Sequence, residues 1–355
     1  MLQAFNKQRF SVFFTLYLGL FLCACHPSKE SLLENFTFNQ ALLQNQYTPA
    51  DALRIQLQNP QSIAVDSVVY AFDETRVKSA QQLQKETFPL THLRTGYHYL
   101  NAKLYMAGDT LTIQHRIELI SPITPKILSY TLVKQHPHDV AAFTEGYEFY
   151  NDQLWESTGQ KGSSYIAQVN PTTGKSIQKV ALESQYFGEG ITFFNGQIFQ
   201  LSWQDQTGFI YDAKTLQRIK TFAYDKPIEG WGMTHNDQYI FHSDGTEKIW
   251  KMDPKTQKEV GFVNVYAGKD KIKSINELEW VNGLIYGNIW QKDAIAVIDP
   301  NTGYVTGVLD LSGLRTMVKN SEAEVLNGIA YRPSTQTFWV TGKNWDSAFE
   351  IKIKE

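Results

Sequence analysis

The feature that most constrains the fold of this chain is a repeat in its second half. Five versions of one turn followed by one apolar strand have first residues 44, 41, 46 and 52 positions apart, and they begin at Asn151, Asn195, Asn236, Asn282 and Ser334. A period of about 40 to 50 residues with several short strands per unit is typical of a β-propeller. The repeat therefore predicts an all-β domain, a five-bladed β-propeller, over residues 127–355.

The way the ring closes is also readable from the repeat. The last unit ends near Ile353 after its third strand, while the apolar segment 127–132 precedes the first unit. A free sheet edge invites pairing with other chains, so a closed ring is expected to cover it. We therefore predict that residues 129–133 pair with residues 349–353 and complete the fifth blade.

A further series of residues opens each unit and predicts where a site lies. In a propeller blade the first strand is innermost and the second runs antiparallel to it, so the start of the first and the end of the second meet at one mouth of the channel. The predicted mouth residues are Glu145, Glu189, Trp231, Asn276 and Asn327 at the starts, and Trp203, Asp244, Trp290 and Lys343 at the ends. Three tryptophans with a few polar groups predict a pocket for a small ligand.

Among these residues, Glu189 is the predicted catalytic group. It lies between two glycines, after Tyr186 and Phe187 and before an apolar run. The glycines allow the backbone to approach a ligand closely, and the aromatic rings place the carboxyl group in a dry setting.

The segment before the propeller reads as a second, smaller domain. Residues 53–57, 68–72, 100–106 and 111–119 alternate or are rich in β-branched and aromatic side chains. About 70 residues of this kind predict a small immunoglobulin-like β-sandwich over residues 51–121, which we interpret as an accessory domain. Two prolines within residues 121–125 then mark a linker.

The N-terminus predicts export. Lys7 and Arg9 precede an apolar run over residues 10–22, which is too short to span a bilayer and suits a signal peptide. The run ends in Leu22-Cys23-Ala24-Cys25, which resembles the bacterial lipobox, so residues 1–25 predict a lipoprotein signal peptide with Cys25 as the lipidated residue. An ordinary cleavage site with a chance cysteine is the alternative. Residues 26–50 would then be a tether, and the protein would be lipid-anchored to the cell envelope of a bacterium.

Composition excludes other partners and sites. A formal charge of −3 without a basic block argues against nucleic acid, and leaves the lipid anchor as the predicted contact with a membrane. Both cysteines lie in the leader, so neither a disulfide framework nor a cysteine zinc site is expected.

Several motifs, in order, resemble those of the plant and bacterial type of glutaminyl-peptide cyclotransferase, also called glutaminyl cyclase. They are residues 142–146, 156–159, 187–190, 229–232, 276–279, 288–291, 326–330 and 340–343. The resemblance covers about residues 128–353 and not the N-terminal domain. It implies a five-bladed propeller that converts the N-terminal glutamine of peptides or proteins to pyroglutamate and releases ammonia.

The resemblance also implies residue roles. Glu189 matches the family's essential acid/base, and the matched binding positions are Phe143, Trp203, Trp231, Asn276, Trp290 and Lys343. Glu145 departs from the pattern, because the plant enzymes carry glutamine there. It either accepts a hydrogen bond from the substrate amine or raises the pKa of Glu189 through its charge.

The chemistry fits these residues independently. The α-amine of an N-terminal glutamine must lose a proton while the departing nitrogen gains one, and one carboxylate between the two nitrogens can carry both transfers. No metal or other cofactor is demanded; the sequence leaves open a structural cation on the propeller axis.

Two other classes of function remain open from the sequence. One is a non-catalytic cell-surface propeller that binds peptides or glycans. The other is a metal-dependent propeller hydrolase, for which Glu145, Glu189, Glu277 and Glu279 could supply oxygen ligands. Against the second, no matching histidines are expected inside the ring: His136, His138, His235 and His242 are interpreted as surface or loop residues.

Overall fold

The structure is a computed structural model that describes residues 28–354. The signal peptide predicted for residues 1–25, with Cys25, lies outside the described residues. None of the described helices is long and apolar enough to cross a membrane.

Residues 28–119 form a small domain of short strands with one helix. Its elements are α1 (Lys29–Asn35), β1 (Thr37–Phe38), a 3-10 turn (Gln40–Leu42), β2 (Gln46–Tyr47), β3 (Ala52–Ile55), β4 (Leu57–Gln58), β5 (Ser67–Phe72), β6 (Thr75–Ala80), β7 (Glu86–Pro89), β8 (Gly96–Met106) and β9 (Asp109–Leu119). A five-stranded sheet has the order β2-β9-β8-β5-β6, and β3 pairs with β7. The alternation in the sequence is explained by this arrangement, since every second residue of β8 is buried.

The tether expected over residues 26–50 is corrected by the structure. Ser28 caps α1 by accepting the Ser31 amide, and the helix buries Leu32 in the core of the domain. Phe36, Phe38 and Tyr47 are buried in the same core. Because these side chains lose their contact with water, residues 28–50 belong to the domain.

The remaining strands continue to the C-terminus and follow the repeat. They are β10 (Lys126–Pro137), β11 (Thr144–Tyr150), β12 (Gln153–Thr158), β13 (Tyr165–Val169), β14 (Ser176–Ala181), β15 (Gly188–Phe194), β16 (Gln197–Ser202), β17 (Thr207–Asp212), β18 (Arg218–Ala223), β19 (Met233–His235), β20 (Ile240–Ser243), β21 (Lys248–Asp253), β22 (Lys258–Asn264), β23 (Tyr266–Ala267), β24 (Asp270–Lys271), β25 (Ile275–Val281), β26 (Leu284–Ile289), β27 (Ala294–Ile298), β28 (Val305–Asp310), the short helix α2 (Ser312–Arg315), β29 (Leu326–Arg332), β30 (Thr337–Gly342) and β31 (Ser347–Lys354). The prediction of an all-β chain is confirmed.

Each of the first four units of the repeat forms four antiparallel strands in sequence order, and the fifth unit forms three. The first three units are separate sheets, β11 to β14, β15 to β18 and β19 to β22. The fourth and fifth units lie in one eight-stranded sheet of order β25-β26-β27-β28-β10-β31-β30-β29. Strand β10 therefore supplies the outermost strand of the fifth unit.

The predicted pairing of residues 129–133 with the last strand is confirmed. Strand β10 pairs antiparallel with β31, with Ser129 opposite Lys354 and Leu132 opposite Ile351. The sequence did not predict a second pairing, in which Lys126 to Leu128 run parallel to residues 307–309 of β28. The same strand thus links the fourth unit to the fifth.

The repeated turns follow from their residue types. Asn195 and Gly196 have φ of 49° and 75°, and Asn282 and Gly283 have φ of 51° and 87°. Asparagine and glycine tolerate this left-handed region, and two such residues form the turn that suits a two-residue hairpin. At the third unit, Asn236 instead accepts the amides of Gln238 and Tyr239 with its side chain.

The first strands of the five units contact one another in a closed ring, β11 to β15 to β19 to β25 to β29 and back to β11. Close approach is needed at the glycines that follow the predicted mouth positions. A Cβ on Gly190 would lie 2.6 Å from the Trp231 carbonyl oxygen, and one on Gly232 would lie 2.0 Å from that of Asn276. Any larger residue would push neighbouring first strands apart.

Candidate active site

A cavity of about 300 Å³ opens where the first strands begin and the second strands end. Its walls are Phe143, Glu145, Phe187, Glu189, Trp203, Trp231, Asn276, Trp290, Glu324 and Lys343. All eight residues selected as catalytic or substrate-binding from the sequence lie in this one cavity. The antiparallel order of the first two strands in each unit explains why residues so distant in sequence meet.

In four of the five units, irregular pairing at the start of the first strand directs a polar side chain. The register shifts between Thr144 and Gly146 of β11, and between Gly188 and Ile191 of β15. The same shift occurs at Asn276 in β25 and at Asn327 in β29. A bulge bends the strand and redirects the side chain of the extra residue. Glu145 and Glu189 are therefore placed by the same local device.

Glu189 is buried and its carboxyl group faces the cavity without a hydrogen-bond donor within residues 28–354. Its backbone is fixed, because the Ser157 hydroxyl donates to the Glu189 carbonyl oxygen at 2.6 Å. Burial, followed by the negative charge of Glu145, raises the pKa of Glu189 well above its usual value, against the opposing charge of Lys343. Glu189 therefore holds a proton more tightly than an ordinary glutamate does.

Glu145 is buried beside Glu189 and is held by side chains. The Lys343 ammonium group lies 2.6 Å from Oε1, and the Asn327 amide donates to Oε2 at 3.1 Å. Burial raises the pKa of Glu145 to about 7, and the Lys343 charge opposes this rise. Because Glu145 carries a carboxyl group, its negative charge acts on Glu189.

The indole side chains form a wall that one carboxylate orients. Glu229 Oε2 accepts the Trp203 indole N–H at 2.8 Å and the Trp231 indole N–H at 2.9 Å. Trp231 packs edge-on against Trp290, with ring centroids 6.1 Å apart. The wall is completed by Phe187, which lies 5.6 Å from Trp203 between ring centroids. Apolar rings around a few carboxyl and amide groups exclude water from them.

Asn276 brings an amide group to the floor of the cavity. The Ser243 hydroxyl donates to its carbonyl oxygen at 2.7 Å and fixes the backbone. Its side-chain oxygen Oδ1 is buried and has no partner in the described part of the chain. An unsatisfied buried polar atom at a cavity is what a ligand's donor would satisfy.

Some mouth residues differ from the prediction. Asp244 does not line the cavity, because its carboxylate accepts the Trp250 indole N–H at 2.7 Å. Asn327 lies behind Glu145 and supports it. Three residues were missed as site residues: Phe187, although it precedes Gly188; Glu229, whose position before Gly230 belonged to the repeated series; and Glu324, which lies on a loop without a repeat equivalent.

The opposite ends of the first strands carry a second cavity of about 410 Å³. Glu148 and Glu279 line it, together with His235 and Trp280. Within residues 28–354 there is no group of three or more histidine, cysteine or acidic side chains placed to hold a metal ion.

The surface or loop interpretation of three histidines is wrong. His136, His138 and His242 are buried, and each lies next to a carboxylate: Glu350 at 3.1 Å, Glu156 at 2.9 Å and Glu259 at 3.1 Å respectively. The His136 contact joins the paired strands β10 and β31, whereas the other two contacts join segments that do not pair with each other. None of the three histidines lines the cavity of Glu189.

Fold and cavity together define a class of protein: an all-β chain in which a buried carboxyl group faces an indole-lined pocket at the start of the repeated units. The sequence model of the glutamine cyclotransferase family matches residues 103–353. This chain belongs to that family.

Two individual relatives agree with the family assignment. A glutaminyl-peptide cyclotransferase of Arabidopsis thaliana is 37% identical over 253 residues, which cover 70% of this chain and 76% of the relative. The crystal structure of Myxococcus xanthus glutaminyl cyclase superposes with a TM-score of 0.60 and 33% identity, covering 65% of this chain and 98% of that one. The resemblance found in the sequence is thereby confirmed.

Proposed function

We propose that this chain is a glutaminyl-peptide cyclotransferase, which converts the N-terminal glutamine of peptides or proteins to pyroglutamate and releases ammonia. Family membership supports the reaction class. The main structural support for the residue assignment is the state of the Glu189 carboxyl group. It is buried, has no hydrogen-bond donor in the described chain, and faces an indole-lined cavity.

In the proposed mechanism, the α-amino nitrogen attacks the side-chain amide carbon Cδ. A bond forms between these two atoms, the bond between Cδ and Nε2 breaks, and the nitrogen leaves as ammonia. Glu189 accepts the proton that the α-amine loses and donates it to the departing nitrogen. The α-amine titrates near pH 8, so a fraction is neutral near pH 7 and a weak base suffices.

We assign two electrostatic roles to the remaining polar groups: setting the pKa of Glu189 and stabilising charge on the substrate amide oxygen. The negative charge of Glu145 raises the pKa of Glu189, which favours proton return to the leaving nitrogen. Asn276 and Lys343 support the amide oxygen as charge develops on it. Lys343 also contacts Glu145 at 2.6 Å, so it links the two carboxyl groups to the substrate oxygen.

The aromatic walls favour cyclisation over hydrolysis. Phe143, Trp203, Trp231 and Trp290 would surround the apolar part of the glutamine side chain and hold its ends together. Because water is excluded, the α-amine is the nucleophile nearest to the amide carbon.

We propose that the five four-stranded units are five blades of a propeller, in keeping with the ring of contacts between their first strands. We also propose that the N-terminal sheets form a sandwich of immunoglobulin-like plan, since β3, β7 and the five-stranded sheet share one core. The reaction needs no metal; any cation bound on the propeller axis would be structural.

For localisation, we propose export and lipid anchoring to a bacterial cell envelope through Cys25, with no other membrane contact. The sequence pattern of residues 7–25 supports this proposal. Its test is the mass of the mature protein, which should carry acyl chains that a Cys25→Ser variant lacks.

The enzymatic proposal is tested with the soluble form that starts after Cys25 and a short glutamine-initiated peptide. We expect one ammonia per peptide, a matching loss of mass, no effect of a chelator, and no reaction with Glu189→Gln. The exposed Glu322→Gln is the matched control. Peptide binding without ammonia release would favour the alternative, a binding module. That class is less favoured because the chain retains Glu189 and belongs to a family of cyclotransferases.

A further inference from the structure

The mouth of the Glu189 cavity carries a third carboxylate, Glu324, which differs from Glu145 and Glu189. All three line the cavity, yet Glu324 is exposed whereas the other two are buried. Glu324 therefore lies at the opening, where the part of a substrate beyond its first residue must pass. Trp290, which is 41% exposed, lies at the same opening.

The position of Glu324 is fixed by its backbone. Its amide donates to the Lys343 carbonyl oxygen at 2.8 Å, and its carbonyl oxygen accepts the Trp345 indole N–H at 3.0 Å. The Arg315 guanidinium also donates to this carbonyl oxygen and to that of Ala323 at 2.7 Å. Three residues from two segments, the turn after β30 and the helix α2, thus hold the backbone of an otherwise irregular loop against the cavity.

The Glu324 carboxylate is not directly paired with a cation within residues 28–354. Within residues 28–354, neither a salt bridge nor a side-chain hydrogen bond involves the Glu324 carboxylate. The one cation that lines the cavity, Lys343, contacts Glu145 at 2.6 Å. Arg315 is occupied by main-chain oxygens and stacks over Trp345 at 5.5 Å. In the described part of the chain, the Glu324 carboxylate is therefore not paired with a cation and can pair with one that a substrate brings to the opening.

A peptide would meet that charge at its second residue. The reacting N-terminal glutamine must lie at Glu189, which is buried with Glu145, whereas Glu324 is the exposed carboxylate of the same cavity. Consecutive Cα atoms lie about 3.8 Å apart, so the second side chain emerges at the opening. A lysine or arginine there would approach Glu324, and an acidic residue would be repelled.

We propose that Glu324 is a specificity-determining residue, which favours glutamine-initiated substrates whose second residue is basic and disfavours those whose second residue is acidic. This inference rests on the proposed cyclase function. Exposed ion pairs contribute up to about fivefold in affinity, and attraction and repulsion act in opposite directions. The ratio of kcat/KM for a basic over an acidic second residue should therefore be about tenfold.

The test compares three tripeptide amides, Gln-Lys-Ala, Gln-Ala-Ala and Gln-Glu-Ala, by ammonia release at low and high salt. For the parent we expect kcat/KM to fall in that order and the differences to shrink at high salt. In Glu324→Gln the three values should converge, and in Glu324→Lys the order should reverse. Glu322→Gln removes an exposed carboxylate two positions away and should keep the parent ratio.

Two outcomes would overturn the inference while leaving the cyclase function intact. The first is an unchanged ratio in Glu324→Gln. The second is an equal loss of kcat/KM for all three peptides in Glu324→Gln, which would mean that Glu324 contacts the α-amine.

If no peptide releases ammonia, the proposed function fails. The charge preference is then measured as peptide binding, through quenching of the fluorescence of the cavity tryptophans. Equal dissociation constants for the three peptides in that assay would reject the role of Glu324.

Discussion

The cavity of Glu189 and the inner part of the ring both bury carboxyl groups, and they use them differently. Glu145 and Glu189 lie at the start of the first strands, whereas Glu148, Glu277 and Glu279 lie further along them. Burial raises the pKa of Glu277 and Glu279 well above the usual value, as it does for Glu189. A raised pKa therefore does not by itself distinguish a catalytic carboxyl group from a structural one.

The hydrogen-bond partners do distinguish them. Glu277 accepts the backbone amides of Tyr147 at 3.2 Å and Ile329 at 2.7 Å. Glu279 accepts the amide of Tyr331 at 2.7 Å, and Glu148 that of Phe193 at 3.3 Å. Neighbouring first strands contact each other without a pairing ladder, so their inward amides need acceptors. The inner carboxyls accept backbone amides, whereas the Glu189 carboxyl group has no hydrogen-bond donor within residues 28–354 and faces the cavity.

The strongest test of this difference is Glu189→Gln. The amide keeps the shape of the side chain and cannot carry a proton between the two substrate nitrogens. We expect kcat to fall by about 10²- to 10⁴-fold, the usual contribution of a general acid/base, with an unchanged midpoint of thermal unfolding. Steady-state ammonia release and a melting curve check the two parts. Activity within a few fold of the parent would remove Glu189 from the mechanism.

The opposite result is expected for Glu277→Ala. This change leaves two buried backbone amides without acceptors, and each costs about 1–3 kcal/mol. The free energy of unfolding from urea titration should fall by about 3 kcal/mol. Glu277→Gln is the control: Tyr147 and Ile329 donate to different oxygens of Glu277, so the single amide oxygen of glutamine can accept only one of them and about half of the lost stability should return. An alanine variant as stable as the parent would show that the inner carboxyls do not hold the ring together.

The pH dependence of stability sharpens the comparison further. Burial raises the pKa of Glu148 to about 8 from a usual value of 4.5. The folded protein thus keeps a proton that the unfolded chain has lost, so this stabilisation is present below about pH 4.5 and is lost as pH rises towards about 8. Glu148→Gln has no such proton. Its free energy of unfolding should fall less steeply across this window, with a difference of several kcal/mol for a shift of that size. Parallel curves for parent and variant would contradict the shift.

Much of the site was predictable because the repeat fixes strand order. Once Glu189 and Trp203 are placed at the start of one strand and the end of the next, antiparallel pairing brings them to the same opening. Glu229 escaped prediction as an orienting group because its role depends on two indole N–H groups from different units. Glu324 escaped because its loop has no equivalent in the other units.

Much of the fold, but not every strand pairing, could also be predicted from the sequence. Alternation predicted strands such as β8, and the missing fourth strand of the last unit predicted the pairing of β10 with β31. It could not predict that Lys126 to Leu128 also pair with β28, since a strand pattern does not specify its partner. Residues 28–50 were misread because their elements are only two to seven residues long, too short for a periodic signal.

The smallest effect is expected at Glu229. This carboxylate lies near the cavity and, like Glu277 and Glu279, accepts hydrogen bonds from the protein, here from the indoles of Trp203 and Trp231. Although burial opposes it, hydrogen bonds from Gln204, Trp231 and Trp203 lower the pKa of Glu229, so it is ionised at neutral pH. Glu229→Ala frees both indoles, and we expect KM to rise about fivefold while kcat changes less, because the wall positions substrate and does not transfer protons. Glu229→Gln keeps one acceptor oxygen and should lie between parent and alanine variant. If kcat falls and KM does not change, Glu229 acts on Glu189 through its charge. The role of a carboxylate would then depend more on its distance from the cavity than on its hydrogen-bond partners.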